Sequence, residues 1–457
     1  MACGTNAVAN GANSTSIGPN AGTGSTGVSN TAVGDSAGQT VQGSNNTASG
    51  INAGQHVTGD ANAAFGAGAG LNVKGSRNTA SGVNAGVNVA GDSNAAFGDS
   101  AGQNVQGTAN TASGAGAGQI VKGNFNTASG VNAGVNVTGD SNAAYGDGAG
   151  QNVQGSGNTA SGLNAGRNVT GDSNSAYGVG AGQTVKGSNN IASGSSAGVN
   201  VTGDSNAAYG DQAGRQVKGS NNAAFGDSAG GNVTGSRNVA MGSSAGSAVQ
   251  GSDNIAIGSG AGSNIAASNA IAIGTGANAP MANSTAIGAG ATTTRANQMA
   301  FGTAASTYTL AGVTSAASLA AQSGPTSFVT SDSAGNLAVS NFDVAGLNGL
   351  GGRLGAVEQG LAALDGRVTG LESSVRDLRR EARGGIAAAM AMTSAPMPSL
   401  PGKTSWATNY ANFRGESGVG VSVAHRLNTA IPLALTAGYS YGGNDNHGVR
   451  VGAQGEF

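Results

Sequence analysis

Asn62-Ala63-Ala64-Phe65-Gly66-Ala67-Gly68-Ala69-Gly70-Leu71-Asn72-Val73-Lys74-Gly75-Ser76-Arg77 is followed at once by Asn78-Thr79-Ala80-Ser81-Gly82-Val83-Asn84-Ala85-Gly86-Val87-Asn88-Val89-Ala90-Gly91-Asp92-Ser93. The two lines share one unit, N-x-A-x-G-x-x-A-G-x-x-V-x-G-x-x. Its first glycine stands at Gly18, Gly34, Gly50, Gly66, Gly82 and Gly98 and returns every sixteen residues to Gly258 and Gly274. A fixed period of this size marks a solenoid, in which each segment makes one coil and stacking supplies the core that no coil has alone.

Each period holds two short extended words. One ends in the rung glycine, as in Thr31-Ala32-Val33-Gly34 or Ile255-Ala256-Ile257-Gly258; the other centres on Val41, Val57, Val73, Val89 and their copies to Val249 and Ile265. Between them lie Gly, Asn, Asp and Ser, which tolerate left-handed turns. Two strands and two turns per period predict a narrow parallel β-coil. Seventeen rungs, each about 4.8 Å from the next, predict a rod roughly 80 Å long.

Three columns matter. Asn30, Asn46, Asn62 and their copies to Asn254 suit an amide ladder, with a ligand-binding polar stripe as the alternative. Just before the rung glycine, large and small residues alternate: Ser49, Phe65, Ser81, Phe97, Ser113, then Ser129, Tyr145, Ser161, Tyr177, Ser193, Tyr209. Interdigitation of neighbouring coils is the expectation there; an exposed aromatic column gripping a partner is the alternative. Asp60, Asp92, Asp140, Asp172 and Asp204 share one turn position and are read as turn formers. The apolar content per coil is meagre at ~25 cal/mol per Å² buried, so side-by-side association of chains is expected to add burial.

Composition fits this picture. The chain has 457 residues, 85 of them Gly, with 9% charged and 4% aromatic, where a soluble domain is about 25% charged. A net charge of −2 leaves no basic footprint for nucleic acid. The lone Cys3 can form neither an internal disulfide nor a zinc site. Met1-Ala2-Cys3-Gly4-Thr5-Asn6 lacks the charged and apolar parts of a leader, which taken literally places the chain in the cytoplasm. The far end argues otherwise, and the expectation is that the start is truncated or mis-called.

Beyond Gly274 the spacing drops to fourteen, giving Gly288 and Gly302. The word Asn283-Ser284-Thr285-Ala286-Ile287-Gly288 resembles the head repeats of the trimeric autotransporter adhesins, the YadA-like family. That resemblance implies a left-handed parallel β-roll head with three chains abreast, followed by a neck, stalk and anchor. Residues 306–346 take the neck's place, and Tyr308-Thr309-Leu310-Ala311-Gly312-Val313 and Phe328-Val329-Thr330 read as short strands around the breaker Gly324-Pro325.

In residues 347–394 the residues Leu347, Leu350, Leu354, Val357, Leu361, Leu364, Val368, Leu371, Val375 and Leu378 alternate spacings of three and four. This is a heptad seam and requires a partner helix. Gly352, Gly355, Gly360, Gly366 and Gly370 each cost about 1 kcal/mol of helix propensity, so association must hold the helix together. Ile386-Ala387-Ala388-Ala389-Met390-Ala391-Met392 then permits close approach to surrounding walls, before Pro396, Pro398 and Pro401.

Residues 395–457 carry four segments of about ten residues, alternating apolar with small or polar, as in outer-membrane strands. Val419, Val421 and Val423 alternate with Gly418, Gly420, Ser422 and Ala424; Trp406, Tyr410, Tyr439 and Tyr441 suit interfacial belts. Single-chain barrels need eight or more strands, so closure needs several chains. The resemblance sets the number at three, hence a homotrimer with a 12-stranded barrel and Ala/Met-rich helices inside, where Gly418, Gly420 and Ala424 would clear space. It also implies that the terminal Phe457 is read by the barrel-assembly machinery.

No catalytic constellation, cofactor motif or metal site is expected. His56, His425 and His447 lack convincing partners, words such as Gly66-Ala67-Gly68 are turn glycines, and the aspartates leave too few oxygens per site for calcium. The domain plan is a head at 1–305, a neck at 306–346, a stalk and pore helix at 347–394, and an anchor at 395–457. The expected function is non-enzymatic: a surface adhesin for extracellular matrix, cells or other surfaces, held in the outer membrane. The alternatives are a biofilm scaffold without a receptor and an ice-binding solenoid. The last wants a regular Thr column, which Thr47, Thr79 and Thr111 begin and Ala63 and Ala95 interrupt.

Overall fold

The computed structural model describes residues 1–324 and 326–456, with side chains described for all of these but 341–345 and 348. The chain is mainly β and divides into two units, Met1–Tyr308 and a second beginning at Thr309. The first is a parallel β-solenoid of about nineteen turns, whose three-residue strands form one 20-stranded sheet. Strands pair at a step of sixteen, as in Ala63↔Thr79, and at fourteen toward the end, as in Ile271↔Thr285. An earlier fourteen-residue step pairs Ala2 with Ser16, so a further coil precedes the one at Gly18.

Why sixteen residues close a coil is visible in the backbone of one repeat. Six of its residues have positive φ: Gly66 (127°), Gly68 (66°), Gly70 (64°), Asn72 (60°), Gly75 (141°) and Arg77 (60°). Gly66 has a second reason to be glycine, because a Cβ there would lie 2.6 Å from the Gly82 carbonyl oxygen of the next coil. The backbone bonds alternate between the two neighbouring coils. Gly66 N donates to Ser49 O at 2.8 Å and Asn72 N to Gln55 O at 2.9 Å in the coil before. Gly70 N donates to Ala85 O and Lys74 N to Val89 O, each at 2.8 Å, in the coil after.

Inside, each coil contributes two alanines, one valine and one asparagine, in continuous columns exemplified by Ala64, Ala69, Val73 and Asn62. The space left along the axis between Val8 and Ile265 amounts to about 100 Å³. Spread over the whole length of the roll this is little space, and alanine and valine side chains from successive coils fill the interior. The asparagines, only 6% exposed at Asn62, form the amide ladder. Asn62 Oδ1 accepts from Asn78 N and Nδ2, both at 3.0 Å, while Asn62 Nδ2 donates to Asn46 Oδ1 at 3.0 Å and Gly75 O at 2.9 Å. The aspartates are bound into turns in the same way: Ser76 N donates to Asp92 Oδ1 at 2.8 Å, and Asp60 N to Ser76 Oγ at 3.1 Å.

Two expectations need correction. The second extended word is thinner than a strand. It pairs as two residues at places such as Val137–Thr138 and as single bridges elsewhere, for example Thr58↔Lys74. A left-handed residue before the valine and a positive-φ glycine after it, such as Asn72 and Gly75, leave no room for more. The alternating aromatics do not fill the core. Phe65 is 45% exposed and Tyr145 46%, because Ala64 points inward and strand parity turns its neighbours outward.

The stretch expected as a strand at Tyr308–Val313, which runs from the end of the first unit into the second, has no partner strand among the described residues. Ala311–Thr314 instead forms a 3₁₀ turn leading to a short helix, Ala316–Ala321, capped by Ser315 Oγ accepting from Ser318 N at 3.1 Å. Ser327–Ser331 pairs antiparallel with Leu337–Asp343; Pro325, read as a breaker, lies outside the described residues. A 48-residue helix spans Val344–Ala391. The strands Thr404–Phe413, Glu416–Arg426, Leu433–Tyr441 and His447–Gly455 then form one antiparallel sheet in sequence order.

The amide ladder makes a direct prediction. Asn126→Ala strips the partner of Asn142 N, removes one of the two acceptors of Asn142 Nδ2, which keeps Gly155 O, and leaves Gly139 O without its side-chain donor. Each buried group left unpaired costs about 1–3 kcal/mol, so the denaturant midpoint of the solenoid should fall markedly. The exposed Lys74→Ala, in a column where Ala90 already stands one coil on, should stay within ~0.5 kcal/mol of the parent; equal effects from the two would refute the ladder's role.

Candidate membrane anchor and outward faces

The C-terminal sheet has two unlike faces. Pairing sets Trp406 opposite Val423, Tyr410 opposite Val419, Val421 opposite Tyr439, and Tyr439 opposite Val449. Strand alternation puts all of these on one face, and every one of them is exposed. The other face carries Gly418, Gly420, Ser422, Ala424, Ser440 and Gly442 and lies against the end of the long helix.

Approach on that inner face is close. A Cβ on Gly418 would fall 2.4 Å from the Ala387 carbonyl, one on Gly420 would fall 2.3 Å from Ala391 O, and one on Gly442 would fall 2.0 Å from Gly384 O. Glycine on the sheet meets glycine and alanine on the helix, and Ala387, Ala388, Ala391 and Ala424 are fully or nearly fully buried. Sequence reasoning placed Gly418, Gly420 and Ala424 as the clearance for a helix, and the structure puts the helix there. It did not find the Gly384–Gly442 contact. The signal was the Gly384-Gly385 pair, which a free helix would have no reason to keep at about 1 kcal/mol per glycine.

Polar contacts fasten both ends of this packing. Asn446 Nδ2 donates to Glu381 O at 2.8 Å, and Arg380 Nε meets Glu416 Oε1 at 3.3 Å. After the helix, Arg426 Nη1 donates to Pro398 O at 3.2 Å and Ser399 O at 3.1 Å, while Gln454 Nε2 reaches Ala395 O at 3.3 Å. Among the described residues, Thr404–Phe413 and His447–Gly455 are edge strands with no further partner. Phe457, expected as a terminal signal, lies outside the described residues.

The seam residues Leu347, Leu350, Leu354, Val357, Leu361, Leu364, Val368, Leu371, Val375 and Leu378 all lie on the 48-residue helix, between 42% and 69% exposed. Continuing their spacing reaches Ala382, Gly385 and Ala389, none of them buried. The buried residues Gly384, Ala387, Ala388 and Ala391 occupy other heptad positions. The helix therefore gives one face to its own sheet and leaves its seam face bare.

The histidines stay apart. His56 sits in a coil turn at φ 54°, His425 pairs with Thr404 Oγ1 at 2.8 Å, and His447 lies 6.4 Å from the Tyr439 ring centre. On the solenoid surface Arg237 clasps Asp253 through bonds of 2.6 and 2.7 Å. The guanidinium's hydrogen bonds hold that carboxyl below its ordinary range, and the carboxylate raises the Arg237 pKa in turn. Both groups are in water, where such pairs contribute little to stability. Among the described residues no helix is long and apolar enough to cross a membrane, and no three His, Cys, Asp or Glu gather in a metal-holding group.

No family model matches the chain. A stretch of 119 residues, 24% of the chain, is 29% identical to the trimeric autotransporter adhesin AtaA of Acinetobacter sp. (strain Tol 5). The chain spans 3% of that protein's length. This is a distant similarity to an adhesin.

The helix–sheet contact is testable in whole cells. Gly418→Val or Gly442→Val drives a side chain into the Ala387 or Gly384 backbone, an overpacking that costs about 1–3 kcal/mol or more. Either variant should lower the amount of folded, protease-resistant C-terminal unit. Val419→Thr, on the outer face, should leave it near the parental level, and indifference to all three would refute the packing.

Proposed function

We propose that the chain is a cell-surface adhesin of the trimeric autotransporter kind. Three copies share one barrel in the outer membrane, export their own heads through it and hold them outside the cell. The division of the long helix into two faces carries this reading. One face is packed on the chain's own sheet, and the other continues a ten-residue apolar seam with nothing upon it. A helix that has its wall but lacks its bundle fits the pore of a barrel whose staves come from several chains.

The sheet supports the same reading. In lipid an unpaired backbone group costs several kcal/mol, so two bare edges cannot persist. The exposed Val, Tyr and Trp face suits contact with lipid and its interfaces. Copy number three rests on the family resemblance and the similarity to AtaA; twelve strands follow from it. In this assembly residues 1–305 form the left-handed head, 306–346 the neck, 347–394 the stalk and pore helix, and 395–457 the anchor. Phe457 addresses the barrel-assembly machinery. The head is non-enzymatic, needs no cofactor, and binds host matrix, cells or other surfaces.

Gel mobility checks the assembly. Without heating, the outer-membrane fraction should show a band well above the 43.1 kDa chain, which collapses to the chain mass on boiling. Leu361→Asp with Leu364→Asp should weaken that band, since each buried unpaired charge costs several kcal/mol; a band at the chain mass under every condition would defeat the trimer. Deleting residues 1–305 separates the functions. Loss of attachment with the envelope and cell-to-cell cohesion intact is the adhesin outcome, whereas loss of matrix cohesion alone would make the chain a scaffold.

A further inference from the structure

The outward face of the solenoid strands carries two adjacent columns, one three residues before each rung glycine and one just before it. Between residues 47 and 225 the two columns vary together. Where the second holds Phe or Tyr, the first is small, as at Ala95/Phe97 and Ala143/Tyr145. Where the second is Ser, the first is larger, as at Thr79/Ser81 and Ile191/Ser193. Neither column belongs to the core, because Ala80, Ala96 and their copies point inward between them. Each coil thus shows one knob and one hole side by side, and their order reverses from coil to coil.

We propose that this face is where copies of the chain meet, and that the alternation sets their register along the axis. The inference rests on the trimer reading above. In a rotationally symmetric ring the contacts are heterologous, so one column of a chain faces the other column of its neighbour. At equal height Phe97 of one chain then faces Ala95 of the next, and Thr79 faces Ser81: every layer pairs large with small. A slip of one coil sets Phe against Thr and Ala against Ser, so that layers are overfilled and underfilled in turn.

Slips of two coils would restore a strict alternation, and the sequence breaks it twice. Ser113 and Ser129 are adjacent small positions, and Tyr209 and Phe225 are adjacent large ones, their rings stacked at 5.2 Å. Each doublet meets the wrong partner in a two-coil slip. The face is also extensive. A ladder of 20 strands at ~4.8 Å spacing and ~10 Å width offers roughly 900 Å² per chain, divided in a ring between two neighbours, where a standard two-body interface takes ~800 Å² per partner. From residue 239 to 273 both columns are apolar, at Val239/Met241, Ile255/Ile257 and Ile271/Ile273. The face there is uniformly sticky, so register comes from the coils before it.

The test moves a knob from one column to the other in the full-length protein, with head unfolding followed by circular dichroism. Ala95→Phe alone puts two rings in one layer and should lower the head's melting temperature by several degrees. Ala95→Phe/Phe97→Ala restores one ring per layer and should return it to the parental value. Both positions point away from the coil's own core, so the coil itself is undisturbed. Neutral behaviour of both variants would mean that the face is free in the assembly, and loss without rescue would mean that like columns meet; either result overturns the proposal. The unheated gel band of the anchor reports the trimer separately, so a missing band in the parent protein counts against the trimer and not against the pairing of columns.

Discussion

A sixteen-residue coil cannot satisfy its own backbone. Its N–H groups reach up to one neighbour at some positions and down to the other at the rest, as Gly70 and Gly66 do within four residues. The constraint is then proximity: coils must lie within hydrogen-bonding distance of each other on every side of the roll. Glycine follows from it where backbones nearly touch, at Gly66 over Gly82, and asparagine follows where the turn leaves a buried N–H and carbonyl facing the axis. The amide of Asn62 meets both needs at once, joining the coil before, the coil after and the turn of its own coil. Apolar burial is secondary in such a core, which is built from alanine and a single valine column.

The C-terminal unit obeys the same logic with different residues. Its closest approach is again backbone to backbone, at Gly442 and Gly384, where a helix rests on a sheet with no side chains between them. A helix held this tightly needs small residues on both sides of the contact, and the sheet supplies them on alternate positions. The residues in between are consequently free to be large and apolar, which gives the sheet its Val, Tyr and Trp exterior. Two surfaces of opposite character thus come from one alternation.

Much of this was legible in the chain before any coordinates. The period fixes the solenoid, the Asn column announces its ladder, and the Val419–Ala424 alternation separates wall from helix side. The size alternation of the aromatic column favours interdigitation between coils over an exposed column, although Ala64 at the centre of a three-residue strand already implies that Phe65 faces out. Parity within so short a strand is a weaker signal than the size alternation along the column, and the stronger one misled. Tyr308–Val313 looked extended from its residue types, but a strand exists only where a partner supplies its ladder. The Gly384–Gly442 contact joins positions far apart in sequence, so local patterns mark only that each glycine is unusual.

The solenoid's step carries one consequence for how such a chain can lengthen. Because every column is continuous from coil to coil, genetic gain or loss of a whole sixteen-residue unit slides the remainder along by ~4.8 Å and leaves each contact type in place. A change of any other size would throw valine, asparagine and glycine out of line through the junction. The length of the solenoid is therefore adjustable in quanta, and unequal crossing-over between near-identical repeats is a ready means of adjusting it. Pairs of coils form the more conservative quantum, since they also keep the alternation of large and small in phase.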